Sequence, residues 1–113
     1  METKDLNLKE RKCSACSGDT PSLQGEELQR YYNRISKHWN LVDGHHLERT
    51  YVFKNFRQAL DFTNKVGELS EEEGHHPDIY LTWGKVKLTV YTHAIDALSE
   101  NDFIWATKVD ELH

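Results

Sequence analysis

Cysteine, proline and long apolar runs are all scarce in this 113-residue chain, and each scarcity removes a class of protein. Two cysteines, Cys13 and Cys16 in KCSACSGD, are too few for a disulfide framework, although their spacing is compatible with a redox pair or half a zinc site. Apolar runs of a few residues fall far short of the roughly 18 that a membrane span requires, and the charged start METKDLNLKERK has no signal-peptide apolar core. The expectation is a cytoplasmic protein with no membrane association. Positive charge is also in deficit: Lys+Arg 14 against Asp+Glu 19 gives a net charge of -5, with no basic run to neutralise a row of phosphates. Direct nucleic-acid binding is therefore not expected. Nor is there a glycine-rich phosphate cradle, a nucleophile elbow or a dinucleotide fingerprint, so phosphoryl transfer and redox chemistry have no visible machinery.

What is present reads as an N-terminal arm, residues 1–24, followed by one domain, residues 25–113, with a single core. In GEELQRYYNRISKHW, Leu28, Tyr31 or Tyr32 and Ile35 fall at helical spacing, behind Glu26 and Glu27 in the first turn, where the helix dipole favours carboxylates. Asp43-Gly44 is a tight-turn dipeptide with β-branched and aromatic residues on either side, which predicts a hairpin with strands near 39–43 and 46–54. Phe56, Ala59, Phe62, Val66 and Leu69 recur every three or four residues, and Gly74 is a helix stop. Ile79, Leu81 and Trp83 alternate with Tyr80 and Thr82, and beyond Gly84-Lys85 a second alternating run places Val86, Leu88 and Val90 on one face. Ser99-x-x-Asp102 is a capping signature ahead of Phe103, Ala106 and Val109. The order α-β-β-α-β-β-α predicts an α+β, two-layer fold. A four-stranded antiparallel sheet would carry three helices on one face, leaving the other face or an edge for a partner subunit.

Histidine is the residue in excess, with seven copies. His45 and His46 follow the Asp43-Gly44 turn and read as a solvated hairpin tip. His75 and His76 precede the second hairpin and His93 ends it, so antiparallel pairing brings these three to one end of the sheet, where they could line one pocket. A metal site fits poorly, because neighbours in an extended segment point to opposite faces whereas helical ligands are spaced i and i+4. Imidazole titrates near neutrality, so one histidine can donate a proton while another accepts one, which suits a hydration or dehydration.

Glu71, His75-His76-Pro77, Trp83, His93 and Asp102, at these spacings, resemble the pterin-4a-carbinolamine dehydratases, and the likeness runs from Trp39 to Phe103. The resemblance implies elimination of water from 4a-hydroxytetrahydropterin to give quinonoid dihydropterin, in the recycling of tetrahydropterin used by aromatic amino-acid hydroxylases. It implies no metal and no organic cofactor, a pterin as the small-molecule partner, a functional link to such a hydroxylase, and a homodimer or homotetramer. His75 and His93 would be the catalytic acid and base, and His76, Thr92 and Trp83 substrate-binding. Glu71 and Asp102 would be orienting groups. From the residues alone, Trp83 fits core packing better than pterin stacking, Asp102 fits a helix cap, and Glu71 fits a solvated charge.

One departure concerns Ala97, at a position where the family has a glycine; a positive φ there would cost an alanine about 1 kcal/mol. Two other readings stand beside the enzyme. One is a dimerisation cofactor for a transcription factor, as some animal members are, and the other is a small zinc protein built on Cys13, Cys16 and two histidines.

Overall fold

The computed structural model describes residues 7–113; residues 1–6 of the predicted arm lie outside them. Three helices, α1 (Gly25–Tyr32), α2 (Phe56–Glu73) and α3 (Glu100–Asp110), cover one face of a four-stranded antiparallel sheet. Its strands are β1 (Asn40–Val42), β2 (His46–Val52), β3 (Asp78–Leu81) and β4 (Lys85–Val90), arranged β1-β2-β4-β3. The two hairpins are thus joined through β2 and β4, with Leu47 opposite Val90 and Tyr51 opposite Val86.

Local chemistry sets the boundaries. Asp43 and Gly44 both take positive φ, 55° and 66°, and the His45 N–H closes the turn on the Val42 carbonyl at 2.9 Å. Asn55 caps α2 by accepting the Gln58 N–H at 2.9 Å, and Gly74 ends it in the left-handed region. Helix α1 is shorter than its apolar spacing predicts: it stops at Tyr32, and Ile35 is buried from the turn beyond. There the Ser36 hydroxyl accepts the His38 N–H, a local alternative to helical bonding.

Helix α3 lies at the centre of the molecule, with every residue from Asn101 to Ala106 buried. Trp105 meets Trp39 edge-on at 6.1 Å, and its indole N–H donates to the Ser70 hydroxyl on α2 at 3.0 Å. Around this helix close Leu47, Val86, Leu88 and Val90 from the sheet, Ala59, Phe62 and Val66 from α2, and Tyr31 from α1. The arm joins the same core, burying Leu8 and Leu23.

The inward face predicted for the second hairpin ends early. The ladder of β3 stops at Leu81, paired with Val86, and Trp83 lies in the following turn, 68% exposed. Core packing of Trp83 is therefore overturned; β3 is an edge strand, and the chain has left the sheet two residues too soon for that side chain to reach the core. The feared strain at Ala97 is absent as well: the positive φ, 51°, belongs to Asp96, a residue type that tolerates that region.

At the C-terminal end of α3, Asp110 accepts the Trp39 indole N–H and the Arg49 guanidinium, at 3.1 and 2.7 Å, together with the Tyr51 hydroxyl. Burial, and then the Asp110 carboxylate, push the Tyr51 phenol well above its ordinary value. Replacing Asp110 with alanine leaves three donors without their acceptor. The expected loss is about 2–4 kcal/mol in urea unfolding, while Asp110→Asn, which keeps one acceptor oxygen, loses less.

Candidate active site

The loop between α2 and β3, the end of β4 and the start of α3 converge on one buried carboxylate. Asp102 is fully buried. Its Oδ2 accepts the Ser99 N–H at 2.9 Å, completing a capping box, and the Thr92 hydroxyl at 2.8 Å. Its Oδ1 lies 2.6 Å from Nε2 of His75, itself only 5% exposed. The capping side chain of the sequence reading is thus also the one in contact with the His75 ring. With Asp102 accepting from Nε2–H, a neutral His75 presents Nδ1 as its acceptor nitrogen.

The remaining sequence-predicted residues distribute around this centre. Thr92 is fully buried, and its hydroxyl meets Asp102 and, at 2.7 Å, Ser99. As placed, that hydroxyl supports the carboxylate instead of facing a substrate. Glu71 reaches His76, not His75: its Oε2 stands 2.6 Å from His76 Nε2, with both side chains exposed. An open groove of about 870 Å³ runs along α2 beside β3, lined in part by Glu71, His76, Pro77 and Ile79. His93 begins a short 3-10 turn, exposed, its ring 4.3 Å from that of Tyr91. His76 thus enters the groove while His75 is buried and His93 stands against Tyr91: one end of the sheet, as expected, but three different surroundings. Trp83 lies in the turn at the opposite end of that hairpin from these histidines.

Two groups escaped the sequence reading. His45 is not a free hairpin tip: it is half-buried, its Nε2 is 2.8 Å from Asp96 Oδ1, and its ring lies 4.7 Å from Tyr91. The tyrosine is thereby flanked by His45 and His93. The missing signal was the β2–β4 pairing, whose Leu47–Val90 register carries the first hairpin's turn to the end of β4. The second group is the arm. Cys13 N–H donates to Glu73 Oε1 at 2.9 Å, Asn101 fastens Ser14 through two hydrogen bonds, and Cys16 Sγ comes within 3.8 Å of His75 Nδ1. Among the described residues, no three His, Cys, Asp or Glu side chains are grouped to hold a metal ion.

The family model for pterin 4 alpha carbinolamine dehydratase matches residues 21–112. The chain belongs to that family. It is 53% identical over 105 residues to a protein of Alkaliphilus metalliredigens named "Putative pterin-4-alpha-carbinolamine dehydratase", covering 93% of this chain and 95% of that one. A protein of the same name from Rubrobacter xylanophilus is also 53% identical, over 93% of this chain and 97% of its own length. Among solved structures, a transcriptional coactivator/pterin dehydratase from Brucella melitensis superposes with a TM-score of 0.75 at 26% identity, over 81% of this chain and 98% of that chain. A pterin dehydratase-like protein identified as a RuBisCO assembly factor in the alpha-carboxysome gives a TM-score of 0.52 at 28% identity, over 59% and 77% of the two chains.

Glu73, at the end of α2, is buried; burial works to raise its carboxyl, but the Cys13 N–H and the Lys108 ammonium at 2.8 Å outweigh it and hold the group below its ordinary value. A depressed carboxylate stabilises the fold fully above the unfolded value, about 4.3, and that contribution disappears as pH falls through the folded value. Wild-type protein should therefore lose more unfolding free energy between about pH 6 and about pH 3 than Glu73→Gln does, measured by urea denaturation at each pH.

Proposed function

We propose that this protein is a 4a-hydroxytetrahydropterin dehydratase, eliminating water to give quinonoid dihydropterin by histidine acid-base catalysis. The observation that carries the reading is the buried His75–Asp102 pair in a chain of this family. Loss of the C4a hydroxyl requires a proton delivered to its oxygen and another removed from ring nitrogen N5. Asp102 fixes the His75 ring through Nε2, leaving Nδ1 to exchange a proton. His93 is the second proton carrier, exposed and backed by the Tyr91 ring. His76, steadied by Glu71, holds the pterin at the groove. Thr92 belongs to the site through Asp102, whereas Trp83, exposed at the far end of the hairpin, takes no part in this site within one chain. The reaction needs no cofactor, and its place is in tetrahydropterin recycling beside an aromatic amino-acid hydroxylase.

A homo-oligomer fits the same molecule. The sheet face away from the helices exposes Val52 and Tyr80, and Ile79 is exposed on the edge strand. An interaction role without catalysis, like the coactivator in the name of the Brucella structure, would use the same surface.

The test is dehydration of freshly generated 4a-hydroxytetrahydropterin with the spontaneous rate subtracted. His75→Ala and His93→Ala should each lower the rate by about tenfold or more. Wild-type rates in both variants would refute the assignment, and no rate above the spontaneous one in wild type would favour the interaction role.

A further inference from the structure

The arm brings to the site a group that dehydration does not use. Cys16 is half-buried, and three polar neighbours surround its sulfur. The Asn101 side-chain amide donates to it at 3.1 Å, His75 Nδ1 lies at 3.8 Å, and the Ser14 carbonyl at 3.9 Å. With Nε2–H turned to Asp102, Nδ1 is the His75 nitrogen that can take the thiol proton, and the buried carboxylate behind the ring compensates the resulting charge. A sulfur that has given up its proton keeps the amide donor of Asn101. This is the arrangement of base and orienting acid that activates a sulfur nucleophile.

Cys13 contrasts with it. Its thiol donates to the Asn101 carbonyl at 3.4 Å. Burial, followed by the Glu73 carboxylate, pushes it up to about 12, so at neutral pH it remains an unreactive thiol. Both sulfurs contact one asparagine, Cys13 its carbonyl and Cys16 its side chain.

We propose that Cys16, His75 and Asp102 form a relay that makes Cys16 a modification site for hydroperoxides and other soft electrophiles. The Cys16 proton passes to His75 Nδ1, and the thiolate attacks one oxygen of the hydroperoxide. The O–O bond breaks, and the departing oxygen takes the proton from His75 and leaves as water or an alcohol. Cys16 is oxidised by two electrons to the sulfenic acid, and the hydroperoxide is reduced by two. Both readings use His75 Nδ1, but sulfur chemistry is measured without a pterin, so failure of the labelling test is distinguishable from failure of the dehydratase reading.

The experiment is brief labelling of the reduced full-length protein with iodoacetamide at neutral pH, read by peptide mass mapping, with glutathione as the free-thiol standard. Cys16 should react about tenfold or more faster than glutathione, and Cys13 far more slowly; His75→Gln should bring Cys16 back to the glutathione rate or below. Hydrogen peroxide should then give a sulfenic acid at Cys16 that dimedone traps, with Cys13 left as a thiol. A wild-type Cys16 rate at or below that of glutathione overturns the relay without recourse to any variant. Peroxide treatment that leaves Cys16 a free thiol overturns the modification site.

Discussion

A carboxylate with no exposure to solvent is the constraint around which the rest of this structure is arranged. Removing an ion from water is costly unless donors replace the hydration it loses. Asp102 obtains them from three different parts of the chain: the Ser99 N–H at its own helix start, the Thr92 hydroxyl after β4, and the His75 ring after α2. Each donor fixes a piece of backbone that would otherwise be loop, so the position of the imidazole follows from satisfying the charge. The helix N-terminus adds its partial positive charge on the same side.

The opposite end of α3 repeats the device against less favourable electrostatics. Asp110 stands in the last turn, where the helix dipole opposes negative charge. Arg49 from β2 supplies the compensating cation, while Trp39 and Tyr51 supply neutral donors. One helix is thus tied at its start to the loops of the candidate site and at its end to the first hairpin, and its buried middle joins the two. Substitutions in either cluster therefore act on the placement of the whole helix as well as on their own contacts.

Much of this was legible in the sequence, because the relevant signals are local. The Asp43-Gly44 turn, the Gly74 stop, the Ser99–Asp102 cap and the alternation of β4 each depend on a few neighbouring residues, and each lies where its chemistry puts it. The candidate site was legible through spacing and family likeness, which singled out His75, His76, His93 and Asp102. What escaped depends on separations no local pattern records. The pairing of β2 with β4 carries His45 to Tyr91, and the arm crosses 59 positions to set Cys16 beside His75. Trp83 was misread because alternation tells which way a side chain points only while a ladder continues, and the ladder had ended at Leu81.

The manner in which the arm is fastened has a consequence for local opening of the molecule. Cys13 and Ser14 are held by side chains 60 and 87 positions away, Glu73 and Asn101, and not by rungs of the sheet. Those partners are brought together only where the end of α2 meets the start of α3, so this stretch of the arm is held by long-range contacts alone. Any local opening that separates α2 from the start of α3 therefore also releases Cys13 and Ser14 and exposes their backbone amides.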